Sequence, residues 1–95
     1  MFIISLTYIK PLEEVDVLLE EHIAYLKEQY ALKNFLASGR KVPRIGGVIL
    51  AHAISREEIE TIISLDPFHR HGIAEYEITE FIPTMTVNEL AFLRE

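Results

Sequence analysis

The sequence contains no cysteine and no apolar run long enough to cross a membrane. Without cysteine, the chain can form neither a disulfide nor a reactive or metal-binding thiolate. A membrane-spanning helix needs about 18 or more consecutive apolar residues, and no run approaches that length. The apolar start, residues 1–9, lacks the basic flank and the small-residue cleavage site of a signal peptide. We therefore expect a cytoplasmic protein with no membrane partner.

Basic residues are also scarce. Nine Lys and Arg stand against fifteen Asp and Glu, which leaves a formal net charge of −6. The densest basic group is no larger than Arg40, Lys41 and Arg44. Because an acidic surface repels the phosphate backbone, we expect no nucleic-acid partner.

The length and composition predict one folded domain. A chain of 95 residues with 49% hydrophobic residues can bury roughly 60–65% of its unfolded surface. We expect a single domain over residues 1–95, with its core in residues 1–83 and a tail at residues 84–95.

The first 31 residues carry a strand pattern and then a helix pattern. Residues 2–9 are rich in β-branched and aromatic side chains and stop at Pro11, which predicts a strand that is apolar on both faces. Residues 11–31 have apolar side chains at helical spacing, which predicts an amphipathic helix. The apolar stripe of this helix consists of Val15, Leu19, Leu26 and Tyr30. His22 falls on the same stripe, so we expect its ring to face the core.

The middle of the chain predicts a β-hairpin. Residues 33–42 predict a second strand, with an irregularity marked by Gly39. Residues 43–47 predict the turn, and the nearly all-apolar residues 48–53 predict the third strand.

A second helix is predicted to end beside a polar turn. Ser55 and Glu58 have the spacing of a capping box, while Pro67 disfavours helical geometry at the residue before it. The predicted helix over residues 56–65 therefore delivers Asp66 at its C-terminal end.

The remaining residues complete the predicted fold. Residues 73–82 alternate apolar and polar side chains, which predicts a fourth strand, and residues 86–94 predict a short terminal helix. The order β-α-β-β-α-β is the ferredoxin-like, split βαβ arrangement of the α+β class. Two helices cover one face of a four-stranded sheet, yet the first and third strands are apolar on both sides. Because an uncovered apolar face marks an association surface, we expect a homodimer whose sheets pack face to face.

His22 and Asp66 are the leading candidates for catalysis. Burial and a nearby carboxylate together can tune an imidazole for general acid–base work. In the split βαβ fold the two helices lie side by side, so the end of the second can approach the middle of the first. A carboxylate at a helix C-terminus meets the negative end of the helix dipole, and this unfavourable placement suggests a functional reason for Asp66. The alternatives are a core histidine bonded to backbone and an aspartate that opens a turn.

Four further side chains are candidates for substrate binding. Arg40 or Arg70 could clamp an anionic group through paired hydrogen bonds, with a surface ion pair as the alternative for each. Phe68 would anchor its loop in the core and form one wall of a pocket. His71 would add a polar contact in the same loop.

A metal site is a weaker alternative. His69 and His71, together with Asp66 or His22, could form a set of two histidines and one carboxylate. The short spacing lacks a third fixed ligand, so we expect no metal and no other cofactor.

The chain resembles the YciI-like (YCII-related) domain family of the dimeric α+β barrel superfamily. The resemblance rests on His22 in the first helix, the Ala37-Ser38-Gly39-Arg40 segment, and Asp66-Pro67-Phe68 followed by Gly72 before the last strand. It extends from about residue 1 to residue 83. The resemblance implies a ferredoxin-like protomer, a homodimer closed through the sheets, and an active-site pair that maps onto His22 and Asp66. Family members with suggested roles act on small organic molecules, including breakdown products of chlorinated aromatics.

Two functions follow as hypotheses. The first is a cofactor-independent enzyme that carries out proton transfer, isomerisation or elimination on a small organic substrate. In it His22 would exchange the proton, Asp66 would orient the ring, and an arginine would bind an anionic group. The second is a non-catalytic dimeric module that binds a small ligand or a protein partner.

Overall fold

The computed structural model describes residues 1–53 and 55–95, and it contains the predicted elements in the predicted order. The elements are β1 (Phe2–Tyr8), α1 (Leu12–Ala31), β2 (Phe35–Arg40), β3 (Gly46–Ala51), α2 (Arg56–Ser64), α3 (Pro67–Arg70) and β4 (Ala74–Glu80), followed by a short 3₁₀ helix (Asn88–Leu93). The single-turn helix α3 between α2 and β4 was not predicted.

The four strands form one antiparallel sheet in the order β2-β3-β1-β4. Strands β1 and β3 are neighbours although a helix separates them along the chain, and β4 returns to pair with the other edge of β1. This is the strand order of the ferredoxin-like fold, so the predicted fold class is confirmed.

The two faces of the sheet differ in burial. On β1, Phe2, Ile4 and Leu6 are buried beneath the helices, whereas Ile3 between them is 38% exposed. Successive side chains of a strand point to opposite faces, so the helices cover one face, the inner face, and leave the other open. Full burial of each such apolar side chain contributes about 1.5–3 kcal/mol, which makes the inner face the main source of stability.

Helix α1 turns a more polar stripe to the core than its sequence predicts. Its buried residues are Val15, His22, Tyr25 and Gln29. The predicted Leu19 and Leu26 are partly buried, and Tyr30 is 36% exposed. The polar groups are tolerated inside because each has a partner: the Tyr25 hydroxyl donates to the Ile62 carbonyl at 2.7 Å, and Gln29 accepts from the Asn34 amide at 2.8 Å.

The hairpin also departs from its prediction. Strand β3 begins at Gly46, which had been placed in the turn, and the register irregularity lies between Phe35 and Ala37 instead of at Gly39. The reason for glycine at position 46 is close approach to β1, because a Cβ there would lie 1.8 Å from the Leu6 carbonyl oxygen.

The start of α2 follows its prediction. Ser55 accepts a hydrogen bond from the Glu58 backbone N–H at 3.2 Å, which caps the helix. Within residues 1–53 and 55–95, no helix combines the length and the apolarity needed to cross a membrane.

Candidate active site

The His22 ring and the Asp66 carboxylate are in direct contact. The distance from Nδ1 of His22 to Oδ1 of Asp66 is 2.8 Å, across 44 positions of sequence. Asp66 is completely buried and His22 is 9% exposed. The two candidate residues thus form a buried hydrogen-bonded pair, as their placement on neighbouring elements predicted.

Asp66 reaches this position as the first residue of a turn and not as the last residue of α2. Helix α2 ends at Ser64, and Asp66 caps α3, with Oδ1 accepting from the Phe68 backbone N–H at 3.0 Å. The expected conflict with the α2 dipole is therefore offset by a capping bond. Pro67 occupies the first position of α3, where its missing N–H costs nothing. Both the turn-opening role and the contact with His22 are realised by one side chain.

The second oxygen of Asp66 accepts from Tyr76, a residue to which the sequence assigned no role in the site. The Tyr76 hydroxyl lies 2.6 Å from Oδ2 of Asp66. Tyr76 pairs with Leu6 in the register of β4 with β1, which places its side chain on the inner face, beneath the helices. The alternation of β4 was the available signal, but the partner of the hydroxyl depends on tertiary packing.

The phenol of Tyr76 is a fixed hydrogen-bond donor. Burial, and then the negative charge of Asp66, raise the pKa of Tyr76 far above its ordinary value. Burial and the same carboxylate also raise the pKa of Tyr25, which stacks on His22 with ring centroids 6.2 Å apart. Neither phenol ionises in the neutral range, so Tyr76 donates to Asp66 throughout it.

Phe68 holds the His22 ring from one side. The two rings are almost parallel, with an interplanar angle of 6° and centroids 4.0 Å apart. Phe68 is 1% exposed and also meets Tyr8 edge to face. The predicted core anchor therefore fixes the plane of the histidine as well.

These contacts determine which nitrogen of His22 is free to react. Two donors, the Phe68 N–H and the Tyr76 hydroxyl, bind the oxygens of Asp66, and Nδ1 of His22 is the third partner of this carboxylate. A carboxylate only accepts, so Nδ1 carries the proton and Nε2 of the neutral ring has a lone pair. Among the described residues Nε2 has no partner, while no buried side-chain nitrogen or oxygen there lacks one. Nε2 is therefore accessible from solvent.

A cavity of about 180 Å³ lies between α1 and the inner face of the sheet, and His22 and Phe68 form part of its wall. Apolar side chains supply most of the rest, including Leu6, Leu19 and Ile49. A cavity that is apolar with a few polar groups is typical of a small-molecule site.

Arg40 stands on the same cavity, at the end of β2. It pairs with Gly47, which pairs in turn with Leu6, so the three residues form a row on the inner face. Gly47 carries no side chain, which leaves space between Leu6 and the arginine. In the described part of the chain Arg40 forms no ion pair with an acidic side chain. Its guanidinium is available to an anionic ligand.

Arg70 and His71 do not line this cavity. Both are exposed at the end of α3, where His71 is the C-cap. A helix of one turn directs successive side chains around its axis, so Phe68 lines the cavity while Arg70 and His71 are exposed to solvent. Their roles in substrate binding find no support in the geometry.

Among the residues it describes, the structure does not place His69 and His71 in a cluster of metal ligands. His69 packs edge to face on Tyr76, with centroids 5.4 Å apart. Among residues 1–53 and 55–95, no three histidine, aspartate or glutamate side chains are placed to hold one ion.

The sequence model of the YCII-related domain matches residues 1–82. The chain therefore belongs to the YCII-related domain family, and the resemblance noted from the sequence is confirmed. No curated protein matches the chain significantly.

The fold is also similar to a solved enzyme structure. That structure is 5-chloro-2-hydroxyhydroquinone dehydrochlorinase (TftG) from Burkholderia phenoliruptrix AC1100, in complex with 2,5-dihydroxybenzoquinone. The TM-score is 0.71, and the match covers 85% of this chain and 93% of that chain. At 18% sequence identity the likeness shows the shared fold, and the chemistry has to be argued from the residues of this chain.

Proposed function

We propose that the protein is an acid–base enzyme that removes a proton from a small anionic organic substrate, with His22 as the base. The observation that carries this proposal is the buried His22–Asp66 pair, in which Asp66 binds Nδ1, Nε2 stays accessible, and the His22 ring lines a cavity. General base catalysis by a positioned histidine typically contributes about 10²–10⁴-fold in rate.

The proton transfer proceeds with defined roles for the neighbouring groups. Nε2 of His22 takes the proton from a substrate carbon, and the ring becomes a cation. Asp66 stabilises that cation through Nδ1–H, and Tyr76 and the Phe68 N–H keep the carboxylate in place. Asp66 and Tyr76 are positioning residues, because they act through His22.

Two outcomes of the transfer are consistent with this arrangement. In an elimination, the electron pair of the broken C–H bond forms a new double bond, and the leaving group departs with its own bonding pair. In an isomerisation, His22 returns the proton to a different substrate atom. Both steps balance without a cofactor: in the isomerisation His22 returns the proton to the substrate, and in the elimination it releases the proton to solvent.

The cavity restricts the substrate to a small molecule with a flat, negatively charged part. A volume of about 180 Å³ accommodates a single ring, and the stacked rings of His22 and Phe68 form part of the wall. The guanidinium of Arg40 binds a carboxylate, phenolate or enolate oxygen. The dihydroxybenzoquinone bound by the dehydrochlorinase is a molecule of this class. It supports, as the first reaction to test, loss of HCl from a chlorinated hydroxyhydroquinone through the keto tautomer in which the chlorine is on a saturated carbon.

We also propose that the protein works as a homodimer with its sheets face to face. The open face carries Ile3 and Val48, which are 38% and 40% exposed, with the half-buried Leu50 between β2 and β1. The cavity lies on the opposite face, so dimer formation leaves it accessible.

The test uses a panel of chlorinated hydroxyhydroquinones and of small acids with acidic C–H bonds. The readouts are chloride release and deuterium uptake from D₂O, which detects proton removal even without elimination. We expect turnover of at least one compound by the wild type and its loss in His22→Gln. The exposed His71→Gln serves as the matched control and should retain activity. Binding without turnover or exchange across the panel would contradict the enzyme and favour a ligand-binding module.

A further inference from the structure

The segment over residues 81–95, here called the C-terminal arm, exposes a concentration of large apolar side chains. They are Phe81, Ile82, Met85, Val87, Leu90 and Phe92, with exposed fractions from 39% to 89%. Soluble monomers rarely present a contiguous apolar patch above a few hundred Å² unless it is a contact surface.

The arm is folded although its apolar side chains are uncovered. Arg94 donates to the Thr86 hydroxyl at 2.7 Å and to the Thr86 carbonyl at 2.9 Å. The Glu95 N–H closes the arm on the Pro83 carbonyl at 3.0 Å, and Leu93 is buried inside it. An unattached tail is ordinarily polar and disordered, so this arm has the character of a preformed binding element.

The arm lies almost entirely outside the shared domain. The YCII-related model ends at residue 82, and the catalytic pair, the cavity and the four strands all precede that point. The exposed apolar groups of the arm therefore need an explanation other than the proposed active site.

We propose that the C-terminal arm packs against a second copy of this chain and enlarges the interface formed by the open sheet faces. The arm leaves the sheet beside β1, where the Phe81 N–H donates to the Met1 carbonyl at 3.0 Å. Its apolar surface thus begins at the end of strand β1, two positions from the uncovered Ile3. In a two-fold dimer each surface is used twice, so both copies bury an arm and a sheet face together.

The area available agrees with this assignment. At about 150 Å² per side chain, the lower end of the range for aromatic residues, the exposed fractions of the arm amount to roughly 550 Å² per chain. A stable interface buries about 800 Å² per partner. The arm alone falls short of that area, and the addition of Ile3, Val48 and Leu50 brings it into range.

The inference rests on the dimer in the proposed function. Sedimentation equilibrium of variants of the 95-residue chain distinguishes a failure of the dimer from a failure of the arm. The test variant is Met85→Ser with Phe92→Ser, and the matched control is Val17→Ser with Val42→Ser, two residues that are 79% and 92% exposed elsewhere on the surface. We expect a dimeric wild type, a dissociation constant raised about tenfold or more in the arm variant, and no change in the control. Ile3→Glu tests the sheet face independently.

Results that differ from these expectations would contradict either the role of the arm or the dimer itself. If the arm variant dimerises like the wild type while Ile3→Glu is monomeric, the sheet dimer stands and the arm has no part in it. If the wild type is a monomer, both the arm and the dimer are wrong, while turnover by His22 remains a separate measurement. Circular dichroism checks that the variants fold. If the Met85→Ser, Phe92→Ser protein does not fold, the single variant Met85→Lys is used in its place.

Discussion

The Tyr76 hydroxyl donates a 2.6 Å hydrogen bond to Oδ2 of Asp66 and thereby ties strand β4 to the turn that carries this buried carboxylate. The other oxygen of Asp66 binds His22 and the Phe68 N–H. Three elements of the fold therefore meet at one buried side chain, and this connection makes several effects of substitution predictable.

Removal of the Tyr76 hydroxyl should weaken the fold and the orientation of His22 together. In Tyr76→Phe the buried Oδ2 of Asp66 loses its donor, and an unsatisfied buried acceptor costs about 1–3 kcal/mol. We expect the free energy of unfolding, measured in urea at pH 7, to fall by that amount. Tyr30→Phe is the matched control, because the Tyr30 hydroxyl bonds Ser38 at the exposed surface. An equal loss in both variants would show that Asp66 does not depend on Tyr76.

The stability of the protein should decline in alkali because of the same phenol. The pKa of Tyr76 is raised in the folded state by burial and by Asp66, above an ordinary value of 10.0. The folded chain then keeps a proton that the unfolded chain loses, so this contribution to stability is complete below pH 10 and decreases as the pH rises above it. The decrease is about 1.4 kcal/mol per pH unit for one group.

Comparison with Tyr76→Phe isolates this effect from other titrations. The wild type should be the more stable protein at pH 7, and the difference between the two should narrow between pH 10 and pH 11. Urea unfolding at each pH provides the measurement. A difference that stays constant over this range would mean that Tyr76 ionises in the folded protein as it does in the unfolded chain.

Replacement of Asp66 by Asn should lower kcat while the protein remains folded. Asp66→Asn retains an oxygen that can cap α3, but it removes the negative charge that stabilises a protonated His22. We expect a loss of about 10²–10⁴-fold in kcat on any substrate found in the panel. The thermal unfolding midpoint checks that the variant is folded. Unchanged kcat in a folded Asp66→Asn protein would exclude the pair as the catalytic unit.

Substitution of Arg40 should weaken the binding of an anionic ligand, whereas substitution of Arg70 should not. Both residues were predicted to bind the substrate. Arg40 lines the cavity and Arg70 does not. Arg40→Gln removes a charged hydrogen-bond donor to an anionic ligand, which corresponds to about 1.5–3 kcal/mol or roughly 10–100-fold in the dissociation constant. Titration calorimetry with 2,5-dihydroxybenzoquinone measures this loss, and Arg70→Gln should bind like the wild type. Equal losses in the two variants would place the anion outside the cavity.

The sequence was sufficient for the fold because its local signals agree with one another. The doubly apolar pattern of residues 2–9, the capping spacing of Ser55 and Glu58, and the break at Pro67 each define an element without reference to the rest of the chain. The order of these elements then predicts the ferredoxin-like arrangement of the sheet. His22 and Asp66 could be paired for the same reason, since the arrangement brings the two elements side by side.

The features that were missed depend on packing between elements. The partner of Tyr76 follows from the exact register of β4 on β1, and the burial of Gln29 follows from an amide supplied by Asn34. The position of Gly46 within β3 reflects its closeness to the backbone of β1. Arg70 lies outside the cavity, which the sequence could not show because the direction of a side chain on a one-turn helix changes by about 100° from residue to residue.

The tautomer of His22 in the unliganded wild type is the most direct test of the catalytic arrangement. Long-range ¹H–¹⁵N NMR spectra distinguish the two neutral forms of the ring, and His22→Gln assigns the signals among the four histidines of the chain. The geometry predicts that the neutral form of the ring is protonated at Nδ1, where Asp66 accepts, and unprotonated at Nε2, which is accessible from solvent. A neutral ring protonated at Nε2 would contradict the account, because the nitrogen assigned as the base would have no lone pair to accept a proton.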